Sequence, residues 1–160
     1  MQADARPPRS RTLLRLRSHC SRIEQRLLLV LRTLAEPGNG DDRLLRPSLL
    51  ALGLQPDGLP AWSQLAAGVA AMRLRVHGPD SAFVSSDELD LLAALNRLSQ
   101  SPATLSVPGE PPLAALLRPC AEQLRRAGLR LLQRTPPLPG RRLLERHAPE
   151  ESGAIDDAGS

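Results

Sequence analysis

Large apolar side chains recur along this chain at alternating separations of three and four residues, and most of them are leucine. Leu13, Leu16, Cys20, Ile23, Leu27, Val30 and Leu34 follow a 3-4-3-4-3-4 spacing. Trp62, Leu65, Val69, Met72 and Val76 repeat it, and Leu113, Leu116, Cys120, Leu124, Ala127 and Leu131 follow 3-4-4-3-4. That spacing keeps one apolar stripe on one side of a helix. The residues that favour strands are scarce: five Val, two Ile, one Trp, one Phe and no Tyr in 160 residues. Leucine and alanine favour helix instead. The expectation is an all-α fold, a small bundle of about five helices with disordered termini.

Helix punctuation divides the chain. Residues 1–10, with two prolines and almost no large apolar side chain, read as a disordered N-terminal arm. The helical domain spans 11–134, and the Arg-Leu piece and acidic, Gly-containing stretch at 135–160 read as a disordered tail. Within the domain the first stripe predicts a single helix over 11–35, closed by Glu36-Pro37-Gly38-Asn39-Gly40. Asp41 or Asp42 can cap a second helix, which contains Pro47 and stops at Gly53. Pro60 suits the first turn of a third, expected to be the central helix. Ser85 and Glu88 form a capping-box pattern, with Val84 and Leu89 as its hydrophobic staple, and start a fourth. A proline-rich linker at 101–112 precedes the fifth, which carries Pro119. No internal repeat is evident.

Charge is blocked along the chain, and all 21 basic residues are arginine. GC-rich coding explains that bias more simply than a need for guanidinium chemistry. Residues 1–34 carry eight Arg against Asp4 and Glu24, and residues 111–146 carry eight against Glu122 and Glu145. Residues 35–110 hold nine acids against five Arg, and residues 147–160 hold four acids and no Arg. Basic blocks can bind nucleic acid. They can equally pair with the acidic blocks in the fold, and that is the preferred reading. On helices, Arg11, Arg15, Arg22 and Arg26 would share one basic face, and Arg126, Arg130 and Arg134 another at i, i+4, i+8. These seven are the candidate basic surface. No aromatic residue accompanies them to stack on single-stranded bases. The loop at 54–60 is longer than the turn of a helix-turn-helix.

Catalytic and metal constellations are not apparent in the sequence. His19, His77 and His147 are far apart, and neither Cys20 nor Cys120 stands at metal-ligand spacing with them. There is no phosphate-binding glycine loop, nucleophile elbow or His-Glu-x-x-His motif. Asp87-Glu88-Leu89-Asp90 is read as a solvated, capped helix start rather than a cation site. Both cysteines fall on apolar stripes and are expected to be buried hydrophobes. The longest apolar run near the start, Leu27 to Leu31, is too short for a signal peptide or a spanning helix. A cytoplasmic, reducing setting is therefore expected, without a transmembrane segment. An Arg-faced helix over 11–35 also has the form of a membrane-surface helix, but any core-facing helix shows the same pattern.

The order of motifs carries one resemblance. Gly40-Asp41-Asp42, Leu59-Pro60 and Ser85-Ser86-Asp87-Glu88, within roughly residues 26–98, are similar to a family of small uncharacterised all-helical proteins of sphingomonad-type alphaproteobacteria. The resemblance implies a helical fold and a bacterial source, and no assigned activity. The family often has a cysteine cluster before the acidic helix start. This chain has His77-Gly78-Pro79-Asp80-Ser81-Ala82-Phe83 there, so no metal or redox role carries over.

The function expected is non-enzymatic: a protein-interaction or regulatory module that binds a protein partner or itself. Helices 11–35 and 112–134 would be its exposed faces, and no cofactor or metal is called for. The alternative is a nucleic-acid-associated protein using the Arg-rich helices, and the third reading is an enzyme of unrecognised type.

Overall fold

The computed structural model describes residues 14–38, 42–101 and 109–134. The arm expected at 1–10, the tail expected at 135–160, and Arg11 and Asp41 lie outside those residues. In chain order the elements are β1 (Leu14–Arg15), α1 (Leu16–His19), α2 (Arg22–Ala35), α3 (Asp42–Ala51), a 3-10 turn (Pro56–Gly58), α4 (Leu59–Ala71), β2 (Phe83–Val84), α5 (Ser86–Gln100) and α6 (Pro112–Arg126). The fold is all-α, with five helices of ten or more residues and one single-turn helix among the described residues. The strands are a minimal antiparallel pair, Leu14 opposite Val84 and Arg15 opposite Phe83.

The first stripe does not make one helix. α1 ends at His19, and α2 begins afresh after Ser21. The restart has a local cause. The Ser21 hydroxyl accepts from the Glu24 amide at 3.2 Å, and the Glu24 carboxylate accepts from the Ser21 amide at 2.9 Å. That capping box satisfies two amides that a helix start otherwise leaves open. Cys20 stays buried at the break, so the apolar spacing runs on as if the helix did.

The fifth helix also ends earlier than its stripe. α6 closes at Arg126, and Gly128 takes a left-handed φ of 68°. The Leu129 amide donates to the Leu124 carbonyl, and the Gly128 amide to Arg125. α3 ends the same way at Gly53, and α4 at Arg73, with the leucines Leu54 and Leu74 folding back. These are Schellman closures, in which the left-handed residue is normally glycine. Arg73, at φ 54°, is the one non-glycine with positive φ among the described residues. Pro47 and Pro119 do not stop their helices. Both are exposed, and so are Arg43 and Ala115, whose carbonyls lose the proline-blocked bond and can take water instead.

α4 is central, packed against both α2 and α6; α5 packs on α6, and α3 on α2. Leu59, Trp62, Leu65, Ala66 and Val69 of α4 are buried. Trp62 has no exposure, and its indole N–H donates to Gln123 of α6 at 2.9 Å. A Cβ at Gly68 would fall 2.2 Å from a methyl of Leu116, so the Leu116 side chain of α6 packs over the bare backbone of α4. Leu27, Leu28, Leu92, Leu95, Leu113 and Leu117 complete the core with essentially no exposure. Each such leucine contributes about 1.5–3 kcal/mol of transfer free energy.

Candidate docking face and the arginines around it

Among the described residues, two buried ion pairs stand at capping boxes. At the start of α5, the Ser85 hydroxyl accepts from the Glu88 amide, and Glu88 accepts back from the Ser85 amide at 2.8 Å. The expected solvated helix start is wrong for Glu88, which has no exposure, and for Asp90, which is also buried. Its carboxylate is wrapped instead. It accepts from Arg32 Nε at 2.7 Å, Arg32 Nη2 at 2.9 Å and the His77 amide at 3.2 Å. Arg32, 2 % exposed, also donates to the carbonyls of Ser81 and Phe83. Both ions are thus paired and hydrogen-bonded, the condition under which burial of charge is tolerated.

The second place is Glu24, also without exposure. Besides the Ser21 amide, it accepts from the Leu132 amide at 3.0 Å and from Arg134 at 2.8 and 3.2 Å. Arg134 reaches the His19 carbonyl as well. Residues 127–134 therefore form a strap that returns from α6 to the joint between α1 and α2. Leu131 is buried beneath it.

The candidate basic residues separate accordingly. Arg126, Arg130 and Arg134 are not one helical face, because α6 ends at the first of them. Arg134 is committed to Glu24, and Arg126 pairs with Glu122 at 3.0 Å, as does Arg125 at 2.7 Å. The two guanidiniums hold the Glu122 carboxyl down at about 2. Arg130 is exposed beyond the helix. Arg15 is exposed on β1, across the α1–α2 break from Arg22 and Arg26. Arg22 and Arg26 are exposed on α2, and Arg26 also donates to the Ala51 carbonyl of α3 at 3.4 Å.

They line an open groove of about 300 Å³ with Leu16, Gln25, Leu29, Arg32 and Pro79. Leu29 is 42 % exposed, one of three large apolar side chains so exposed among the described residues, with Leu50 and Leu132. It follows Gln25 by four residues and Arg26 by three, so the three share a helix face. The residues lining this groove include no acid. Sequence reasoning placed Arg22 and Arg26 but missed Leu29, whose signal was its position off the apolar stripe and beside the arginines. The stripes expected to stay free are covered instead: α2 buries its own against α4, and α6 against α4 and α5.

The two thiols are buried and unbridged. Burial raises the Cys120 thiol to about 12. Burial, followed by the nearby Glu24 charge, raises Cys20 to about 11. Neither is a poised nucleophile at neutral pH. Among the described residues no three His, Cys, Asp or Glu side chains cluster as a metal site, and no helix is long and apolar enough to cross a membrane. No protein family, curated protein or solved structure is matched by this chain.

Proposed function

We propose that this chain is a non-enzymatic interaction module that docks an acidic, amphipathic segment of a protein partner in the groove between α1, α2 and the Pro79 turn. The observation that carries the reading is Leu29: a leucine left in water on a helix face that also presents Arg22 and Arg26. An apolar anchor flanked by guanidiniums suits a segment that alternates carboxylates with one large apolar residue. Arg32 and Arg134 take no part, since their donors are used inside the fold. A reducing, cytoplasmic setting belongs to the same reading, and two unbridged thiols fit it.

Fluorescence anisotropy tests it, with a fluorescein-labelled peptide bearing one leucine between glutamate pairs and, in parallel, a labelled random DNA duplex. The peptide should bind, Leu29→Asp should weaken it by about tenfold or more, near 1.4 kcal/mol, and Arg22→Glu with Arg26→Glu should abolish it. Duplex binding that is tighter, and falls steeply from about 50 to 200 mM salt, would replace the reading with nucleic-acid association.

A further inference from the structure

The strap brings the chain back to the joint between α1 and α2. Arg134 is its last described residue, and it is bonded to the His19 carbonyl and to Glu24. Arg134 is thereby held beside the α1–α2 joint, and Leu16 and Arg22, flanking that joint, line the groove. Twelve residues, 135–146, then lead to an acidic stretch without arginine. Extended, they reach up to roughly 40 Å. Residues 147–160 carry Glu150, Glu151, Asp156 and Asp157, no arginine, and one large apolar residue, Ile155, between the acid pairs. This is the pattern of charge and apolar anchor that the groove complements.

We infer that residues 147–160 dock in the groove of their own chain, with carboxylates on Arg22 and Arg26 and Ile155 against Leu29. The inference rests on the groove being a docking surface, as proposed above, and makes the acidic segment a built-in competitor for it. A short tether supplies an effective concentration on the order of millimolar. Weak contacts are then enough to occupy the groove until a stronger acidic partner displaces the segment.

The test uses the full chain labelled with nitrogen-15 and carrying Ser160→Cys modified with a nitroxide; the buried native thiols are left unmodified. The amides of residues 16–29 and 78–80 should broaden. The broadening should vanish when the nitroxide is reduced, and in a variant carrying Glu150→Gln, Glu151→Gln, Asp156→Asn and Asp157→Asn. That variant should also bind the acidic peptide about tenfold more tightly. No broadening, or broadening on another face, overturns the inference. So does equal broadening when nitroxide-bearing unlabelled chain is mixed with nitrogen-15 chain, since docking would then be between copies. If broadening is absent while the peptide still binds in a Leu29-dependent way, the docking surface stands and only the self-occupancy fails. If the neutralised variant binds no peptide either, the surface itself fails.

Discussion

Glu24 and Glu88 occupy the same local motif and meet different fates. Each is the third residue of a capping box, each has no exposure, and each accepts four hydrogen bonds: its cap amide, one distant backbone amide and two from an arginine. The difference lies in the arginine. Arg32 is held inside a helix, its side chain 1 % exposed, and also ties down the carbonyls of Ser81 and Phe83. Arg134 ends a strap and is 14 % exposed. Opening the first node leaves a charge stranded in the core. Opening the second lets the strap swing into water, where the charge of Arg134 is solvated. The same capping chemistry thus gives one lock and one latch, and α2 carries a residue of each. The lock's Arg32 lines the groove, whereas the latch closes on the joint between α1 and α2.

The strongest way to break this comparison is to neutralise each glutamate. Glu88→Gln should cost about 3–5 kcal/mol, as removal of one partner from a buried pair does. Urea unfolding followed by the fluorescence of Trp62, the only tryptophan, measures it. Glu24→Gln should cost less, about 1.5–3 kcal/mol, the range for hydrogen bonds to a charged group, because Arg134 can escape to solvent. Equal losses would mean that the two nodes are alike.

The thiols sharpen the contrast by rate. Cys20 lies at the latch, where its thiol feels Glu24 and Arg134, while Cys120 feels only burial. Ellman's reagent should modify Cys20 first, and Glu24→Gln should speed Cys20 without touching Cys120. Both thiols are raised in the folded chain, to about 11 and about 12 from an ordinary 9.0. The stability linked to them is complete below pH 9 and falls as pH rises through the folded values. The chain has no lysine and no tyrosine, so few other groups titrate in that window. An alkaline stability profile reads the thiols almost alone, and Cys120→Ala should flatten its upper part.

The smallest effect is a gain. Arg73→Gly should stabilise by up to about 1 kcal/mol, because glycine occupies a left-handed helix end without the steric cost of a Cβ. Arg73 leads into the segment that feeds His77 to Glu88, so the gain should appear in global unfolding and leave the strap's opening unchanged.

Much of the fold is legible in the sequence, and the illegible parts share a cause. Stripe spacing marks the helices because burial of one face is a local, periodic property. Ser85 and Glu88 stand out because they follow a loop. Ser21 and Glu24 carry the same box, but within an unbroken apolar spacing that hides the interruption. Gly128 is a stop signal hidden likewise by Ala127 and Leu131. Arg32 has no local mark at all: it is one of eight arginines in its block, and its partner lies 56 residues away. Arg134 and Glu24 are 110 apart. Sequence spacing finds which arginines can share a helix face; it does not find which of them folding consumes. Leu29, Arg22 and Arg26 become visible as a candidate site only once those are set aside.

Native-state hydrogen exchange tests the lock and the latch most directly. The amides of Leu132 and Ser21, both bonded to Glu24, should exchange through a local opening well below the global unfolding free energy and insensitive to low denaturant. The amides of His77 and Ser85, both bonded to Glu88, should exchange only with global unfolding. If the two pairs merge at low denaturant into one isotherm, the strap is no latch, and the two nodes are alike.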